Sequence, residues 1–331
     1  MVKSNHEIKP IGGYFELELP HHPEYHAEAI ALNSGRFCLE YLLRCRRYNK
    51  IYIPYYTCDT AIEPIIKLGI KYDCYHIDKN YHIVDNICLD EDEALMYTNY
   101  WGLQNSYCEQ LSSRYGSQLI LDYTQAFYSH PISGIDTFYS CRKYFGVPDG
   151  GYLYTDAVVD FEIELDESYM RMDSLIKRID LSPEAGYDDF HKTSALFHDM
   201  PIRKMSKLTK RLMQSIDYEQ VAQRRIENYN ILRNHLGGKQ LVHGDVPMVF
   251  PYATKAGQEL RKHLIENKIF VAKGERHGSI NKIIAIAKEK GTIIVEKDKR
   301  QMDEMAQNQN YQGVIAIVPP FEYCEIEDII D

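Results

Sequence analysis

The sequence predicts an α/β fold built on a mainly parallel β-sheet, with a smaller α+β part towards the C-terminal end. Between about Ala29 and Asp156, helical and strand-like segments alternate, which is typical of helices that cross over between parallel strands. Polar residues follow several of these strands at their carboxyl ends, where open α/β sheets bind ligands. The chain has 331 residues, of which 44% are hydrophobic, enough for one large core and a smaller one.

Helical and strand periodicities define the elements of this first part. A helix is predicted to begin at Asn33-Ser34-Gly35, because a polar cap precedes apolar residues that share one helical face. A second helix is predicted over 60–68, ending at Gly69. Short apolar runs bounded by turn residues predict strands at 51–54, 72–77, 94–98, 118–122, 136–140 and 151–154.

The sequence beyond about Phe161 is more charged and less regular. A long amphipathic helix is predicted over 217–236, where Gly237-Gly238 ends it. Its apolar face comprises Ala222, Ile226, Tyr229, Leu232 and Leu236. Further strands at 247–250, 269–272 and 314–318 and a helix at 256–267 predict an α+β unit. The expected division is an N-terminal arm over 1–28, a large domain over 29–216, and a linking helix with a small α+β domain over 217–331.

Composition narrows the classes of function. The formal net charge is -10 and no long run of Lys and Arg occurs, so no nucleic-acid partner is expected. The chain has eight cysteines and no Cys-x-x-Cys pair, which indicates reduced thiols in a cytoplasmic protein. The N-terminus lacks the apolar core of a signal peptide, and no run is long enough to cross a bilayer. The histidines at 21, 22 and 26 have no second cluster to complete a metal site, so no metal is expected.

Two motifs indicate cofactor chemistry. Asp122 ends an apolar strand, and Lys143 follows in a Ser-x-x-Lys motif before Asp149-Gly150-Gly151. Pyridoxal phosphate (PLP) requires a lysine that forms a Schiff base, a carboxylate against the pyridine nitrogen, donors for the phosphate, and a flat group on the ring. Lys143 and Asp122 meet the first two requirements. A carboxylate leaving a buried strand needs a cationic or donor partner, which a pyridinium nitrogen provides.

The helix that begins at Ser34-Gly35-Arg36 offers a site for the phosphate. Its first backbone N–H groups have no acceptor within the helix, and the helix dipole is positive there. Ser140 and Arg142 would add a hydroxyl and a charge. Taken singly, these residues are ordinary caps, turn residues or surface cations. Their order and spacing along the chain favour the cofactor site.

These motifs resemble those of the DegT/DnrJ/EryC1/StrS aminotransferases, which belong to PLP fold type I. The resemblance runs from about Asn33 to Asp156 and follows the family's order. The matching segments are Ser34-Gly35, Pro54 through Gly69, Tyr75-His76-Ile77-Asp78, Tyr100-Trp101-Gly102-Leu103-Gln104, Asp122-Tyr123-Thr124-Gln125-Ala126, and Lys143 with Asp149-Gly150-Gly151.

The resemblance implies a fold type I large domain with a seven-stranded sheet and an aminotransferase reaction. Lys143 would form the internal aldimine, Asp122 would face the pyridine nitrogen, and Gln125 would lie near the cofactor's 3-hydroxyl. The amino donor would be an amino acid, glutamate in most of the family, and the acceptor a keto sugar nucleotide. A homodimer with a shared active site is also implied.

Departures from the family pattern keep other reactions open. Arg36 replaces a small hydroxyl residue, and Cys58 stands where a ring-stacking aromatic is expected, so that Tyr56 or Tyr100, or the adjacent Tyr55 or Trp101, would compensate. Ile202 stands where the family has an Asn that reaches the partner's phosphate, a role left to Arg203 or Lys204. The alternatives are another fold type I reaction, such as a lyase or acyl transfer on an amino acid, and a PLP-binding protein without turnover.

Overall fold

A seven-stranded β-sheet organises the computed structural model, which describes residues 12–254 and 256–269. The strands are β1 (Ile30–Leu32), β2 (Lys50–Pro54), β3 (Lys71–Tyr75), β4 (Glu93–Thr98), β5 (Leu119–Asp122), β6 (Asp136–Ser140) and β7 (Gly151–Tyr154). The helices are α1 (Gly35–Arg46), α2 (Asp59–Lys67), α3 (Asn105–Tyr115), α4 (Asp173–Asp180), α5 (Tyr187–Leu196), α6 (Lys207–Met213), α7 (Tyr218–Leu236) and α8 (Gly257–Glu266).

The strand order across the sheet is β1-β7-β6-β5-β4-β2-β3. Strand β7 pairs antiparallel with both β6 and β1, whereas the other paired strands are parallel. Helix α2 connects the parallel neighbours β2 and β3, and α3 connects the parallel neighbours β4 and β5, whereas α1 leads from β1 to β2 across the sheet. The predicted α/β class with a mainly parallel seven-stranded sheet is confirmed.

The central strands are buried on both faces. Along β4, Ala94 and Met96 pack in one apolar cluster and Leu95 and Tyr97 pack in the other. Successive side chains of a strand point to opposite faces, so two separate cores lie above and below the sheet. A strand covered on both sides reads as a continuous apolar run, which is why this segment was recognisable from sequence.

Tyrosines fill much of one of these cores. The Tyr75 hydroxyl donates to the Met96 carbonyl at 2.8 Å, and the Tyr139 hydroxyl donates to the Ser129 carbonyl at 2.9 Å. These two buried phenols therefore find backbone acceptors, which offsets the cost of burying their polar ends. Many of the chain's 27 tyrosines thus serve packing.

The structure differs from the prediction in the segment 247–250, which is not a strand. The Met248 N–H donates to the Trp101 carbonyl at 2.8 Å, and the Met248 carbonyl accepts from Arg225 at 2.8 Å. These are single hydrogen bonds to a turn and to a side chain, and they do not form the repeated pairing with a neighbouring strand that makes a ladder. The predicted strand at 72–77 also ends earlier, at Tyr75.

Helix α7 confirms the predicted long helix, with Asp217 as its N-cap and Gly237 after its last residue. Its predicted apolar stripe is buried at Tyr229 but exposed at Leu232 and Leu236, which are 42% and 48% exposed. Within the described residues, the second half of the stripe therefore lies open to solvent. No described helix combines the length and apolarity needed to cross a membrane.

The chain divides into two compact units, Met1–Gly257 and Gln258–Asp331. Helix α8 begins at the end of the first unit and occupies the described part of the second, where the helix at 256–267 was predicted. The predicted strands at 269–272 and 314–318 lie outside the described residues, except for Ile269. The division into an arm over 1–28, a large domain over 29–216 and a C-terminal part over 217–331 stays a prediction.

Gly151, the first residue of β7, sets how closely α1 approaches the sheet. A Cβ atom there would lie 2.5 Å from the Ser34 carbonyl carbon and 2.6 Å from the Gly35 nitrogen. Since both contacts are with backbone, Gly151→Ala is expected to displace the start of α1 and destabilise the protein by about 1–3 kcal/mol. Thermal denaturation of the purified variant measures this loss.

Gly146→Ala is the matched control. A Cβ atom at Gly146 meets nothing closer than a Leu175 side-chain carbon at 3.7 Å, an ordinary contact. This substitution should change the free energy of unfolding by no more than about 0.5 kcal/mol, as is usual for surface changes, and so leave the melting temperature nearly unchanged. Equal stability of the two variants would contradict the packing role of Gly151.

Candidate active site

A pocket of about 210 Å³ opens at the carboxyl edge of the sheet. Its floor includes Thr98 of β4, Asp122 of β5 and Ser140 of β6, the last residues of these three strands. The start of α1 contributes Ser34 and Gly35 to the wall. Parallel strands bring their carboxyl ends to one edge, and the helix that follows a strand begins beside that edge. The fold thus assembles chemistry-bearing residues that are distant in sequence.

Asp122 is the buried carboxylate of this pocket and is 5% exposed. One carboxylate oxygen accepts from the Thr124 N–H at 2.8 Å, and the other accepts from the Thr98 hydroxyl at 3.3 Å. Two donors from two strand ends therefore fix its orientation. Such a carboxylate retains lone pairs for a further donor from the pocket side.

Lys143 lies in the β6–β7 loop, which comprises residues 141–150, and its side chain borders the same pocket. Its Nζ donates to the Thr124 hydroxyl at 3.2 Å. Thr124 therefore contacts both predicted catalytic residues, through its backbone N–H to Asp122 and through its hydroxyl to Lys143. Among the described residues that line the pocket, Lys143 supplies the one primary amine.

The start of α1 is held tightly against the strand ends. Ser34 caps the helix by accepting from the Phe37 N–H, at 3.4 Å to its hydroxyl. A Cβ atom on Gly35 would lie 3.1 Å from a Thr124 side-chain carbon and 3.3 Å from the Tyr139 carbonyl oxygen. Glycine thus permits this approach, which presents the first N–H groups of the helix to the pocket. Such groups bind anions.

The flat side of the pocket is formed by Tyr56, while Tyr100 lies behind it. Tyr100 is 1% exposed, stacks on Tyr56 with ring centroids 5.6 Å apart, and donates its hydroxyl to the Tyr56 carbonyl at 2.7 Å. Tyr100 therefore supports the pocket without lining it. Cys58, at the N-cap of α2, does line it.

Gln125 is oriented by a backbone group. Its side-chain oxygen accepts from the Trp101 N–H at 3.1 Å, so the Gln125 NH₂ group is left as the donor on the pocket side. Trp101 has φ 63°, a left-handed conformation that is unusual for a bulky residue. A residue other than glycine that is kept in the left-handed conformation next to a pocket is typical of a functional site.

Arg36 and Arg142 line the pocket, and Arg171 lies behind its wall, with its guanidinium carbon 5.4 Å from the ring centroid of Phe197. Arg36 Nη1 is 2.5 Å from a Glu63 carboxylate oxygen, and Arg171 Nη2 is 2.6 Å from a carboxylate oxygen of Asp166. Arg142 packs instead on aromatic rings and has no carboxylate partner among the described residues. Burial, followed by the nearby charges of Arg171 and Arg36, lowers the pKa of Arg142 to about 10.

The structure places ten of the eleven predicted site residues around this single pocket, and Tyr100 is the exception. The ten are Ser34, Gly35, Arg36, Tyr56, Cys58, Asp122, Gln125, Ser140, Arg142 and Lys143. Sequence reasoning missed other lining residues, which are Leu39, Thr57, Thr60, Ala61, Thr98, Thr124, Phe138, Phe190, Ser194 and Phe197. Thr124 had a local signal, since it stands within the Asp122 motif, and Thr57, Thr60 and Ala61 fall in the matching segment from Pro54 to Gly69. The roles of all these residues stay predictions.

Asp149 anchors the β6–β7 loop and is fully buried. Its carboxylate accepts from the N–H and the hydroxyl of Ser206, each at 2.9 Å, and from the Thr209 hydroxyl. The loop is thereby fastened to the start of α6. Burial raises the pKa of Asp149 to about 6, even though the Ser206 hydrogen bonds favour the charged form.

Protonation of Asp149 is expected to stabilise the fold. The folded-state pKa of about 6 lies above the unfolded value of 3.8, so the folded protein binds more protons between these values. Stability therefore falls as pH rises from about 4 to about 6, by an amount on the order of 3 kcal/mol from this group. The free energy of unfolding of wild type minus that of Asp149→Asn, measured by urea titration across this pH range, should fall by that amount. A difference independent of pH would contradict the assignment.

The last histidine of the N-terminal segment, His26, is part of the apolar core. His26 is 2% exposed, and its Nε2 donates to the Phe127 carbonyl at 2.8 Å. Burial lowers the pKa of His26 to about 4. Within residues 12–254 and 256–269, no group of three or more His, Cys, Asp or Glu is placed to hold a metal ion.

Comparison with protein families gives a match in a different part of the chain. Residues 260–324 match the family model of RNA 2'-O ribose methyltransferase substrate binding. A Staphylococcus haemolyticus protein assigned to the TrmH family of tRNA/rRNA methyltransferases is 38% identical over 64 residues, 19% of this chain and 25% of that protein. An uncharacterized tRNA/rRNA methyltransferase of Synechocystis sp. is 35% identical over 66 residues, 20% of this chain and 17% of that protein.

These matches span a quarter or less of the relatives' length. Most of the matched segment lies outside the described residues. The expectation that nucleic acid is not a partner rested on overall charge, and this match runs against it.

Solved structures with a similar arrangement are aminotransferases and a synthase. An aminotransferase TlmJ from Streptoalloteichus hindustanus has a TM-score of 0.48 at 13% identity, covering 74% of this chain and 71% of that one. A sugar aminotransferase from Micromonospora echinospora has a TM-score of 0.47 at 15% identity, covering 87% and 86%. For 3-amino-5-hydroxybenzoic acid synthase the values are 0.43 and 16%, covering 72% and 67%. At these scores and identities the likeness assigns neither family nor activity.

Proposed function

We propose that the first unit of this chain is a PLP-dependent aminotransferase of the DegT/DnrJ/EryC1/StrS type. The observation that carries the proposal is the pocket in which Lys143, Asp122 and the start of α1 meet. Its residues fit the cofactor, since a buried, oriented carboxylate faces the pocket opposite an amine and beside a helix N-terminus. When bound, PLP supplies an electron sink for chemistry at the carbon bearing an amino group.

Each residue has a task that its contacts support. Ser34, Gly35 and Arg36 bind the phosphate, together with Ser140, through hydroxyl, backbone N–H and guanidinium donors. Asp122, oriented by Thr98 and Thr124, holds a proton at the ring nitrogen. Tyr56 packs on the ring face, and the Gln125 NH₂ group donates to a ring oxygen. Cys58 borders the same face without the area of an aromatic ring.

Lys143 attaches the cofactor and moves protons. Its amine would hold the cofactor covalently, and the freed amine would then accept or donate a proton at the substrate carbon. The Thr124 hydroxyl, 3.2 Å from Nζ, accepts a hydrogen bond and keeps the amine at the pocket. The proposed donor is an amino acid, glutamate first, and the proposed acceptor is a keto sugar nucleotide. A homodimer and a cytoplasmic location complete the proposal.

Cofactor uptake tests this proposal directly. The protein is incubated with PLP, its visible absorbance is recorded, and borohydride reduction followed by peptide mass spectrometry locates the modified residue. The expected result is one modified peptide that carries the cofactor on Lys143. Absence of uptake by folded protein, or modification at another lysine, would show that the proposal is wrong.

A donor screen separates aminotransfer from the alternatives. An aminotransferase converts bound PLP to pyridoxamine phosphate with an amino donor alone, because the half-reaction needs no acceptor. A lyase, or an acyl-transfer enzyme that is also given an acyl donor, consumes the amino acid while the cofactor returns to its starting form. A binding protein without turnover takes up PLP and then changes neither the cofactor nor any amino acid.

We propose in addition that the segment 260–324 binds RNA, as the substrate-binding region of tRNA/rRNA methyltransferases. The family-model match and the 38% and 35% identities over this segment favour it. Methyl transfer itself is not proposed, because the matches cover so little of the relatives. The full chain is titrated against labelled tRNA at several salt concentrations.

The expected result is saturable RNA binding that weakens as salt rises, because contacts to phosphates release counterions. Charge reversal within the segment, as in Arg276→Glu, should weaken it further. If the full chain binds no RNA at low salt, or if Arg276→Glu binds as wild type does, the proposal for this segment fails while the proposal for the first unit stands.

A further inference from the structure

Arg142 has an environment that none of the assigned roles explains. Its guanidinium carbon lies 4.7 Å from the ring centroid of Phe197 and 5.9 Å from that of Phe190. Its Nη2 donates to the Ser194 hydroxyl at 3.3 Å. The aromatic rings and the hydroxyl hold the planar group at the pocket wall. A guanidinium held in this way loses little further freedom when it binds a ligand.

No described carboxylate forms an ion pair with Arg142; the nearby Asp149 acts on its charge from beyond ion-pair distance and accepts hydrogen bonds from Ser206 and Thr209. Arg36 and Arg171 lie close enough to Arg142 to lower its pKa. Arg36 forms an ion pair with Glu63, and Arg171 forms one with Asp166, but Arg142 forms no ion pair with either acid. Taking a cation out of water without a counterion is unfavourable. An anion that enters the pocket removes this cost. The arrangement therefore favours an anionic ligand group at Arg142.

Two anions are candidates, the cofactor phosphate and a substrate carboxylate. The phosphate already has donors at the start of α1 and at Ser140. Arg142 directly precedes Lys143, whose amine must reach the substrate carbon that carries the amino group. In an amino acid the carboxylate is bonded to that same carbon. A planar guanidinium offers two parallel N–H donors to the two oxygens of a carboxylate.

We propose that Arg142 binds the carboxylate of the amino-acid substrate and positions its amine at Lys143. This inference rests on the proposed PLP function of the pocket and restricts its donors to amines that carry an adjacent carboxylate. Ser194 and Phe197 position the guanidinium from behind. Arg142, which the sequence predicted as a ligand of the cofactor phosphate, is thereby assigned to the substrate carboxylate.

Glutarate, a dicarboxylate without an amine, probes this site in PLP-loaded protein by calorimetry. Wild type is expected to bind glutarate and not its neutral diamide. Arg142→Gln should bind glutarate about 10- to 100-fold more weakly, as expected for the loss of hydrogen bonds between charged groups. Arg142→Lys should lie between the two, since it keeps the charge and loses the planar fork.

Arg224→Gln is the matched control. It makes the same change on a side chain that is 74% exposed, on α7 and outside the pocket wall. Its glutarate affinity should equal that of wild type. In the donor screen, Arg142→Gln should lose the preference of wild type for an amino acid over the corresponding decarboxylated amine.

Two results would overturn the assignment of Arg142. One is unchanged glutarate affinity in a folded Arg142→Gln protein. The other is a selective loss of affinity for PLP relative to pyridoxal in that variant, which would place Arg142 at the phosphate. Wild-type protein that takes up no PLP would contradict the proposed function instead, and glutarate titration of the cofactor-free protein would still decide the role of Arg142.

Discussion

Lys143→Ala is expected to abolish covalent uptake of PLP and aminotransfer while leaving the fold intact. The side chain is exposed, and the structure gives it one hydrogen bond, to Thr124, so its removal costs little stability. Proton transfer by a positioned group contributes about 10²–10⁴-fold to a rate, and the attachment of the cofactor is lost as well. The variant's visible absorbance after PLP incubation and its turnover with an amino donor measure the two effects.

Lys192→Ala provides the comparison for this result. Lys192 lies on α5 with a side chain 76% exposed and is not part of the pocket wall. This variant should take up PLP and turn over as wild type does. A Lys143→Ala protein that keeps a borohydride-reducible cofactor would show that another lysine carries it.

Asp122→Asn is expected to lower turnover by about 10²–10³-fold with cofactor uptake retained. The amide can still accept from the Thr124 N–H, so the local structure persists. It carries no negative charge, however, and no longer stabilises a protonated ring nitrogen. Single-turnover rates with an amino donor, followed by the absorbance of the bound cofactor, measure the loss.

Asp136→Asn is the matched control for Asp122→Asn. Asp136 begins β6, pairs in register with Ile120 of β5, and is 4% exposed. It lies at the opposite end of the strands and forms an ion pair with Arg46 at 2.8 Å. Its substitution should lower stability and leave the single-turnover rate of the folded protein unchanged. Equal rates for the two variants would remove Asp122 from the proposed chemistry.

The elements that the sequence predicted well are those whose signals are local. Ser34 and Gly35 mark the start of α1 by their residue types. Strands β6 and β7 have the predicted bounds because their apolar runs end at turn residues. The segment 247–250 has the composition of a strand, yet its backbone bonds to Trp101 and Arg225. The four residues of this segment carry no signal for hydrogen-bond partners that lie more than twenty positions away in the chain.

The same distinction applies to the pocket. Residues at strand ends and helix starts were predicted because the sheet brings those positions together in any fold of this class. Phe190, Ser194 and Phe197 come from α5 and the residue after it, a region with no motif. The sequence predicted Tyr100 at the cofactor because an aromatic residue is needed to compensate for Cys58. Its burial behind Tyr56 depends on three-dimensional packing that the sequence does not show.

The C-terminal segment illustrates a limit of reasoning from overall composition. A net charge of -10 describes the whole chain and does not describe the properties of 65 residues within it. The motifs that resemble an aminotransferase end near Asp156, and the match to the family model of RNA 2'-O ribose methyltransferase substrate binding begins at residue 260. These two segments of the chain therefore require separate functional tests.

The antiparallel direction of β7 has a consequence for local unfolding. Lys143 lies in a loop whose two ends adjoin, because Ser140 pairs with Gly151 and the Cys141 N–H donates to the Gly150 carbonyl at 3.1 Å. The loop cannot open widely unless strands inside the sheet separate. Fluctuations that move the two ends of the loop apart therefore require local opening of β6 and β7. A ligand bound there should slow hydrogen exchange in β6 and β7 as well as in the loop.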